Sequence, residues 1–268
     1  MTETLRLMCI LAHPDDESLG TGGILAKYAD EGVETYLITA TRGEGGWFGD
    51  PDEYPGPEAL AEIREAELQD AAEVLGLQEV SLLGYEDGRL DQAEPAEVIA
   101  KLVAHVRRIQ PHVVVTFDPY GAYGHPDHIA ISQFTTAAVV AAAGRNGAEL
   151  HHRPYQVPKL YYMAYTPAAL AAYQSAFGEL VMEIDGEERR AAGWERWAIT
   201  TRIDTEAYWD QIWEAITCHR TQLPGYEALR RLPEAQHRAL WGVHGYYRAY
   251  SLVNGGRGTE HDLFSGLR

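Results

Sequence analysis

Residues 5–17 read LRLMCILAHPDDE, and residues 112–128 read HVVVTFDPYGAYGHPDH. Each begins with an apolar run and ends at a His-Pro-Asp triplet. An apolar run without alternation fits a strand buried on both faces, as in a parallel sheet. Around these two runs the periodicity switches back and forth. Residues 22–30 read as a helix with Ile24, Leu25 and Tyr28 on one face and Gly32 beyond its end. Residues 33–41 read as a strand, 58–75 as a helix ended by Gly76, 79–83 as a short strand, 95–110 as a helix and 112–117 as a strong strand. This succession predicts a doubly wound α/β sheet with right-handed crossovers. In such sheets ligands bind outside the carboxyl ends of the strands, which is where both triplets fall.

Beyond residue 150 the pattern loosens. Residues 159–165 and 243–253 read as strands, and 205–221 as a helix that buries Trp209, Ile212, Trp213 and Ile216 at helical spacing. With no internal repeat, low-complexity tract or linker in view, residues 1–268 are expected to form one domain, those after about 185 being a less regular extension of it.

The chain has 268 residues, long enough for a substantial core, and its 46% apolar and 23% charged residues are ordinary for a globular protein. Its 22 basic and 40 acidic residues give a net charge of −18, which disfavours nucleic acid and anionic lipid as partners. Two cysteines, Cys9 and Cys218, exclude a disulfide scaffold and suit a reducing compartment. The run at residues 7–12 is too short for a signal peptide, and residues 129–143 fall short of the ~20 needed to span a bilayer. A cytoplasmic protein without membrane insertion is the expectation.

Composition alone predicts a His-Pro-Asp triplet about 0.03 times in this chain, yet two occur. Any one of these residues alone reads as an ordinary hydrogen-bonded group; the pair reads as a site. His13 and Asp16 are three apart, so an imidazole and a carboxylate can converge from one turn, and His128 can complete a set of three. Three protein ligands and an open position are the arrangement of a catalytic zinc, whose bound water has its pKa lowered to about 7. Asp15 is then free to serve as general base.

A strand ending in AHPDDE at residues 12–17, then TRGE at 41–44, GHPDH at 124–128 and the weaker CHRTQ at 218–222 resemble the LmbE-like (PIG-L) superfamily of zinc-dependent N-deacetylases. The resemblance implies a Rossmann-like three-layer fold with a mostly parallel sheet, one Zn2+ per chain on His13, Asp16 and His128, and Asp15 as the base. It further implies that His125 assists charge development or protonates the leaving group and that Tyr123 polarises the carbonyl. Asp127 would orient an imidazole, as carboxylates do beside metal-binding histidines. Arg64 matches a substrate-binding arginine, with Glu44 and Asp87 as weaker substrate-binding candidates.

The implied reaction is hydrolysis of the acetamide of an N-acetylglucosamine-type conjugate. Alternatives are an amidase on another amide of a related aminosugar or thiol conjugate, and a 2-His-1-carboxylate iron(II) oxygenase, since Fe2+ accepts the same ligands. A dinucleotide-binding loop at Gly20-Thr21-Gly22-Gly23 fails on spacing, because Leu25 stands where the pattern needs glycine. The Gly- and Pro-rich stretch 43–57 is expected to be a loop that presents Trp47 and Phe48 to a sugar ring. The aglycone is not specified, and a homo-oligomer is left open.

Overall fold

The structure, a computed structural model, describes residues 4–144, 152–179, 181–184, 186–256 and 258–268. The first half comprises β1 (Arg6–Leu11), α1 (Gly22–Asp30), β2 (Glu34–Thr41), α2 (Pro57–Leu75), β3 (Glu79–Tyr85), α3 (Pro95–Ile109) and β4 (Val113–Thr116). A distorted turn α4 (Gly121–Gly124) leads into α5 (Pro126–Ala142), followed by β5 (Lys159–Met163), α6 (Pro167–Phe177), β6 (Val181–Ile184) and β7 (Glu187–Arg190). The chain continues through β8 (Thr201–Asp204), α7 (Trp209–Cys218), α8 (Glu227–Arg230), α9 (Glu234–Trp241) and β9 (Val243–Ser251).

Seven strands form one sheet in the order β3-β2-β1-β4-β5-β9-β8. The first five are parallel, and β9 and β8 add antiparallel neighbours at one side. From β1 the chain winds outward to β2 and β3, then crosses back to β4 on the other side of β1. The carboxyl ends of β1 and β4 therefore flank the switch point where such sheets open a crevice. Leu7 to Leu11 of β1 are fully buried, which explains the absence of alternation; each large side chain stabilises the fold by roughly 1.5–3 kcal/mol relative to exposure.

Punctuation residues act as the sequence indicates. Gly76 caps α2 in the left-handed region, and Pro is at the first turn of α2, α3, α5 and α6. Helix α5 covers most of the apolar run at 129–143 and packs against α3 and β1, while Gln133, Val140 and Ala141 on its outer side are exposed. The helix expected over 205–221 is shorter. A 3-10 turn at Glu206–Tyr208 precedes α7, where Ile212 and Ile216 are fully buried. Trp209 and Trp213, expected in the core, are half-buried at its edge against His237 of α9, with Trp213 stacked on that ring and Trp209 tilted to it. Among the described residues no helix is long and apolar enough to cross a membrane.

The last strands are tied to the chain end by one buried carboxylate. Glu260 Oε1 accepts hydrogen bonds from Lys159 Nζ and Arg248 Nη1, both at 2.8 Å, and Oε2 from Tyr161 OH at 2.7 Å and Thr201 Oγ1 at 2.9 Å.

Candidate active site

The turn after β1 is built under strain. Asp15 has φ +109°, a conformation that costs a non-glycine residue free energy and persists only where its surroundings enforce it. Three bonds enforce it: the Asp15 N–H donates to Glu17 Oε2 at 2.9 Å, and the Asp15 carbonyl accepts from the N–H of Ser18 at 3.1 Å and of Leu19 at 2.9 Å. After Asp16, the five residues Glu17–Thr21 form a π-helical turn, a local widening common at functional sites. The two strand-end segments thereby meet over the β1/β4 crevice.

His13, Asp16 and His128 converge there. His13 Nδ1 lies 3.2 Å from His128 Nε2 and 3.6 Å from Asp16 Oδ2, and His128 Nε2 lies 3.5 Å from Asp16 Oδ1. A tetrahedral ion with bonds of about 2.0–2.1 Å has ligand–ligand edges of about 3.4 Å, the range of these separations, with the two histidines facing different oxygens of the Asp16 carboxylate. Asp16 Oδ2 also accepts from the backbone N–H of Ala12 at 3.2 Å and of His13 at 2.8 Å, which fixes the carboxylate. His128 is stacked on Phe117, with ring centroids 3.8 Å apart. Burial pushes its pKa down to about 3, so its nitrogen lone pair is available near neutral pH.

The opposite edge of His13 is gripped by two carboxylates: Nε2 is 3.0 Å from Asp87 Oδ1 and 3.2 Å from Asp127 Oδ2. Such partners fix the tautomer and leave Nδ1 as the coordinating atom. Asp127 is in turn held by the N–H of Gly88 at 2.7 Å and of Leu90 at 2.9 Å. Burial opposes a charge on His13, but Asp127, Asp16 and Asp87 outweigh it and hold its pKa well above the ordinary value. Asp16, Asp87 and Asp127 crowd round His13, and Asp15 pairs with Arg64. That excess of anionic groups favours a cation at the triangle.

Arg64 and Asp87, expected to bind substrate, are engaged with groups of the protein itself. Arg64 is buried and donates to the carbonyls of Gly43 at 2.6 Å and Pro14 at 2.5 Å and to Asp15 Oδ2 at 3.1 Å. Both oxygens of Asp87 are engaged, Oδ1 with His13 and Oδ2 with the Gly45 N–H at 3.0 Å. Glu44 Oε1 accepts from the Asp87 N–H at 3.0 Å, while Oε2 is buried without a hydrogen-bond partner. Arg64 and Asp87 line the cavity, and of their polar atoms only Arg64 Nε is buried without a hydrogen-bond partner among the described residues.

Asp15 Oδ2 also accepts from Tyr226 OH at 2.6 Å, so Arg64 and Tyr226 both bind this one oxygen. Burial pushes the Asp15 carboxyl up to about 6, with Arg64 pulling it down and Asp16 adding to the rise. On the other side, His125 Nδ1 accepts from the Asp127 N–H at 3.2 Å, which puts the ring proton on Nε2. Burial lowers the His125 pKa, with His13 adding to the effect, and burial raises that of Tyr123, so the imidazole stays neutral and the phenol protonated. Their rings lie 4.7 Å (His125) and 5.4 Å (Tyr123) from that of His128.

The cavity over this cluster measures about 580 Å³. Phe48 of the 43–57 loop lines it; Trp47 turns back, its indole N–H bonding the Asp50 carbonyl at 3.0 Å. Sequence reasoning missed Glu17 as a structural partner of His219, and it missed Tyr226 altogether. The CHRTQ match contains His219, whereas Tyr226 has no local signal.

The GlcNAc-PI de-N-acetylase (PIG-L) family model matches residues 8–139. A 1D-myo-inositol 2-acetamido-2-deoxy-alpha-D-glucopyranoside deacetylase of Mycolicibacterium vanbaalenii is 33% identical, over 99% of this chain and 99% of that protein. A mycothiol S-conjugate amidase of Streptomyces coelicolor is 31% identical, over 100% of this chain and 99% of that protein. A conserved protein from Thermus thermophilus superposes with a TM-score of 0.67 at 28% identity, covering 94% of this chain and 97% of its own. N,N'-diacetylchitobiose deacetylase from Pyrococcus horikoshii shares the fold with a TM-score of 0.70 at 22% identity, covering 92% and 84%. A doubly wound sheet with a buried histidine–carboxylate cluster at its switch point, together with these relatives, defines the class: hydrolases acting on amide carbon–nitrogen bonds. Within that class, the chain belongs to the PIG-L (LmbE-like) family.

Proposed function

We propose that this protein removes the acetyl group from a 2-acetamido-2-deoxyglucoside conjugate, with one zinc ion held by His13 Nδ1, Asp16 Oδ1 and His128 Nε2. The observation that carries the reading is the convergence of His13 Nδ1, His128 Nε2 and the two oxygens of the Asp16 carboxylate at separations of 3.2–3.6 Å, with Asp15 as the adjacent residue. The family and the deacetylase and amidase relatives support it. Bound there, zinc supplies Lewis acidity, acidifying a coordinated water and polarising a carbonyl.

The chain's own groups divide the remaining work. Arg64 and Tyr226 hold Asp15 through Oδ2, so Oδ1 is the oxygen that takes the proton from the attacking water. Tyr123 stays protonated, and its hydroxyl donates to the acetyl oxygen as negative charge develops. His125, its Nδ1 occupied, presents Nε2–H toward the leaving amine, and Asp15 returns its proton to the nitrogen. Asp87 and Asp127 keep the His13 ring fixed.

The Streptomyces coelicolor relative favours a second reading, cleavage of another amide of an aminosugar–thiol conjugate. Nothing among these relatives supports the iron(II) oxygenase. Amine release from a panel of N-acetylglucosaminides, including an inositol conjugate, by the zinc-loaded protein tests the proposal. Turnover should fall at least ~100-fold in Asp15→Asn. Absence of amine from every member of the panel, or an Asp15→Asn variant as active as the parent, overturns it.

A further inference from the structure

The cavity is divided chemically. Its charged and imidazole-bearing lining residues among those described are His13, Asp15, Asp16, Arg64, Asp87, His125 and His128, all on the floor. The outer wall is formed by Phe48, Leu170, Val181, Met182, Ala191 and Ala192, without a charge. Phe48 and Val181 are 54% and 41% exposed, large apolar side chains left in water at the mouth of a site. Such a patch beside a catalytic cluster marks a surface that something covers.

The wall is held in place. Among the described residues the hairpin β6–β7 pairs only with itself, yet Arg189 Nη1 donates to the Gly124 carbonyl at 2.9 Å. A Cβ on Gly124, whose φ is +85°, would lie 2.7 Å from Arg189 Cβ, so hairpin and turn are in direct contact. Just beyond the hairpin, Trp194 Nε1 donates to Asp118 Oδ2 at 2.7 Å and the Trp194 N–H to the Tyr165 carbonyl at 2.9 Å. The hairpin's charges lie elsewhere: Arg190 pairs with Glu188 and Glu179 and is absent from the cavity lining.

From this division we infer that the substrate's aglycone is an apolar group, an alkyl or aryl substituent seated on the wall made by Phe48, Leu170, Val181 and Met182, and not a polyol. The inference rests on the deacetylase reading, in which His125 serves the leaving amine. Gly124, the residue the hairpin abuts, immediately precedes His125, so the wall stands on the amine and sugar side of the scissile bond. A polyol would need convergent donors and acceptors at the aglycone position, and the side chains of the wall carry none, whereas on the floor Asp87 is held by His13 and the Gly45 N–H and Gln222 Nε2 donates to the Gly46 carbonyl at 3.0 Å.

The test compares kcat/KM for amine release from octyl and inositol N-acetylglucosaminides by the zinc-loaded full chain, with the octyl glycoside of N-hexanoylglucosamine as a third substrate. The octyl acetamide is expected to exceed the inositol one by at least about tenfold, the worth of about two buried methylene groups. Val181→Asp and Met182→Asp should bring that ratio close to one. An inositol conjugate turned over as well as or better than the octyl one overturns the inference while leaving the deacetylase reading intact. Preference for the hexanoyl substrate over its acetyl counterpart assigns the wall to the acyl side and also overturns it. Failure to cleave any of the three defeats the deacetylase reading, and equal calorimetric affinity for the octyl and inositol compounds would then overturn the inference independently.

Discussion

Glu17 Oε1 lies 2.7 Å from His219 Nε2, and both side chains are fully buried. The pair clamps the first motif to the segment after α7, and the other Glu17 oxygen holds the strained Asp15 backbone. Each group favours the other's charged form: His219 lies above its ordinary pKa despite burial, and Glu17 below its own.

His219→Ala strands a buried carboxylate, and urea denaturation should show a loss of roughly 3–5 kcal/mol. The double variant Glu17→Met with His219→Leu should recover most of that stability but not the activity, because the Asp15 N–H loses its acceptor. A His219→Ala loss below about 1 kcal/mol, the range of an exposed pair, would show that the clamp is not structural.

Tyr226→Phe removes one of two hydrogen bonds to Asp15 Oδ2. A bond to a charged group contributes about 1.5–3 kcal/mol, so kcat should fall about tenfold or more with KM little changed. A variant that raises KM alone would place the Tyr226 hydroxyl on the substrate.

Gly43 has φ +71°, and a Cβ there would fall onto the Arg64 guanidinium. Gly43→Ala should therefore displace the group that orients Asp15 and lower kcat at least ~10-fold, the scale of a misplaced catalytic group. Activity equal to the parent's would show that Arg64 is not needed to hold Asp15.

Glu260 supplies a pH signature away from the site. Although burial works against it, Lys159, Asn254, Tyr161 and Thr201 hold its carboxyl down to about 2. An unfolded glutamate titrates near 4.3, so this stabilisation is complete above that pH and is lost as pH falls toward 2. Denaturation free energy should decline over that interval and decline less steeply in Glu260→Gln; equal slopes would contradict the assignment.

The doubly wound core was legible because parallel strands buried on both faces leave uninterrupted apolar runs, and Gly32 and Gly76 mark helix ends. Helix α5 was not legible as a helix, since residues 129–143 are apolar all round and carry no period. The hairpin strand EERR at 187–190 has no apolar alternation either. At the site, the convergence of residues 13, 16 and 128 could be read because each follows a strand end at the switch point. The partners of Arg64, Asp87 and Tyr226 could not, because those hydrogen bonds join residues 42–211 positions apart.

Zinc content per chain after exhaustive dialysis, measured on the wild type and single variants, tests the central claim most directly. The account predicts about one zinc per chain in the wild type and in Asp15→Asn, and marked loss in His13→Ala, Asp16→Ala and His128→Ala. Full zinc occupancy in His128→Ala, or none in the wild type after zinc loading, would contradict it.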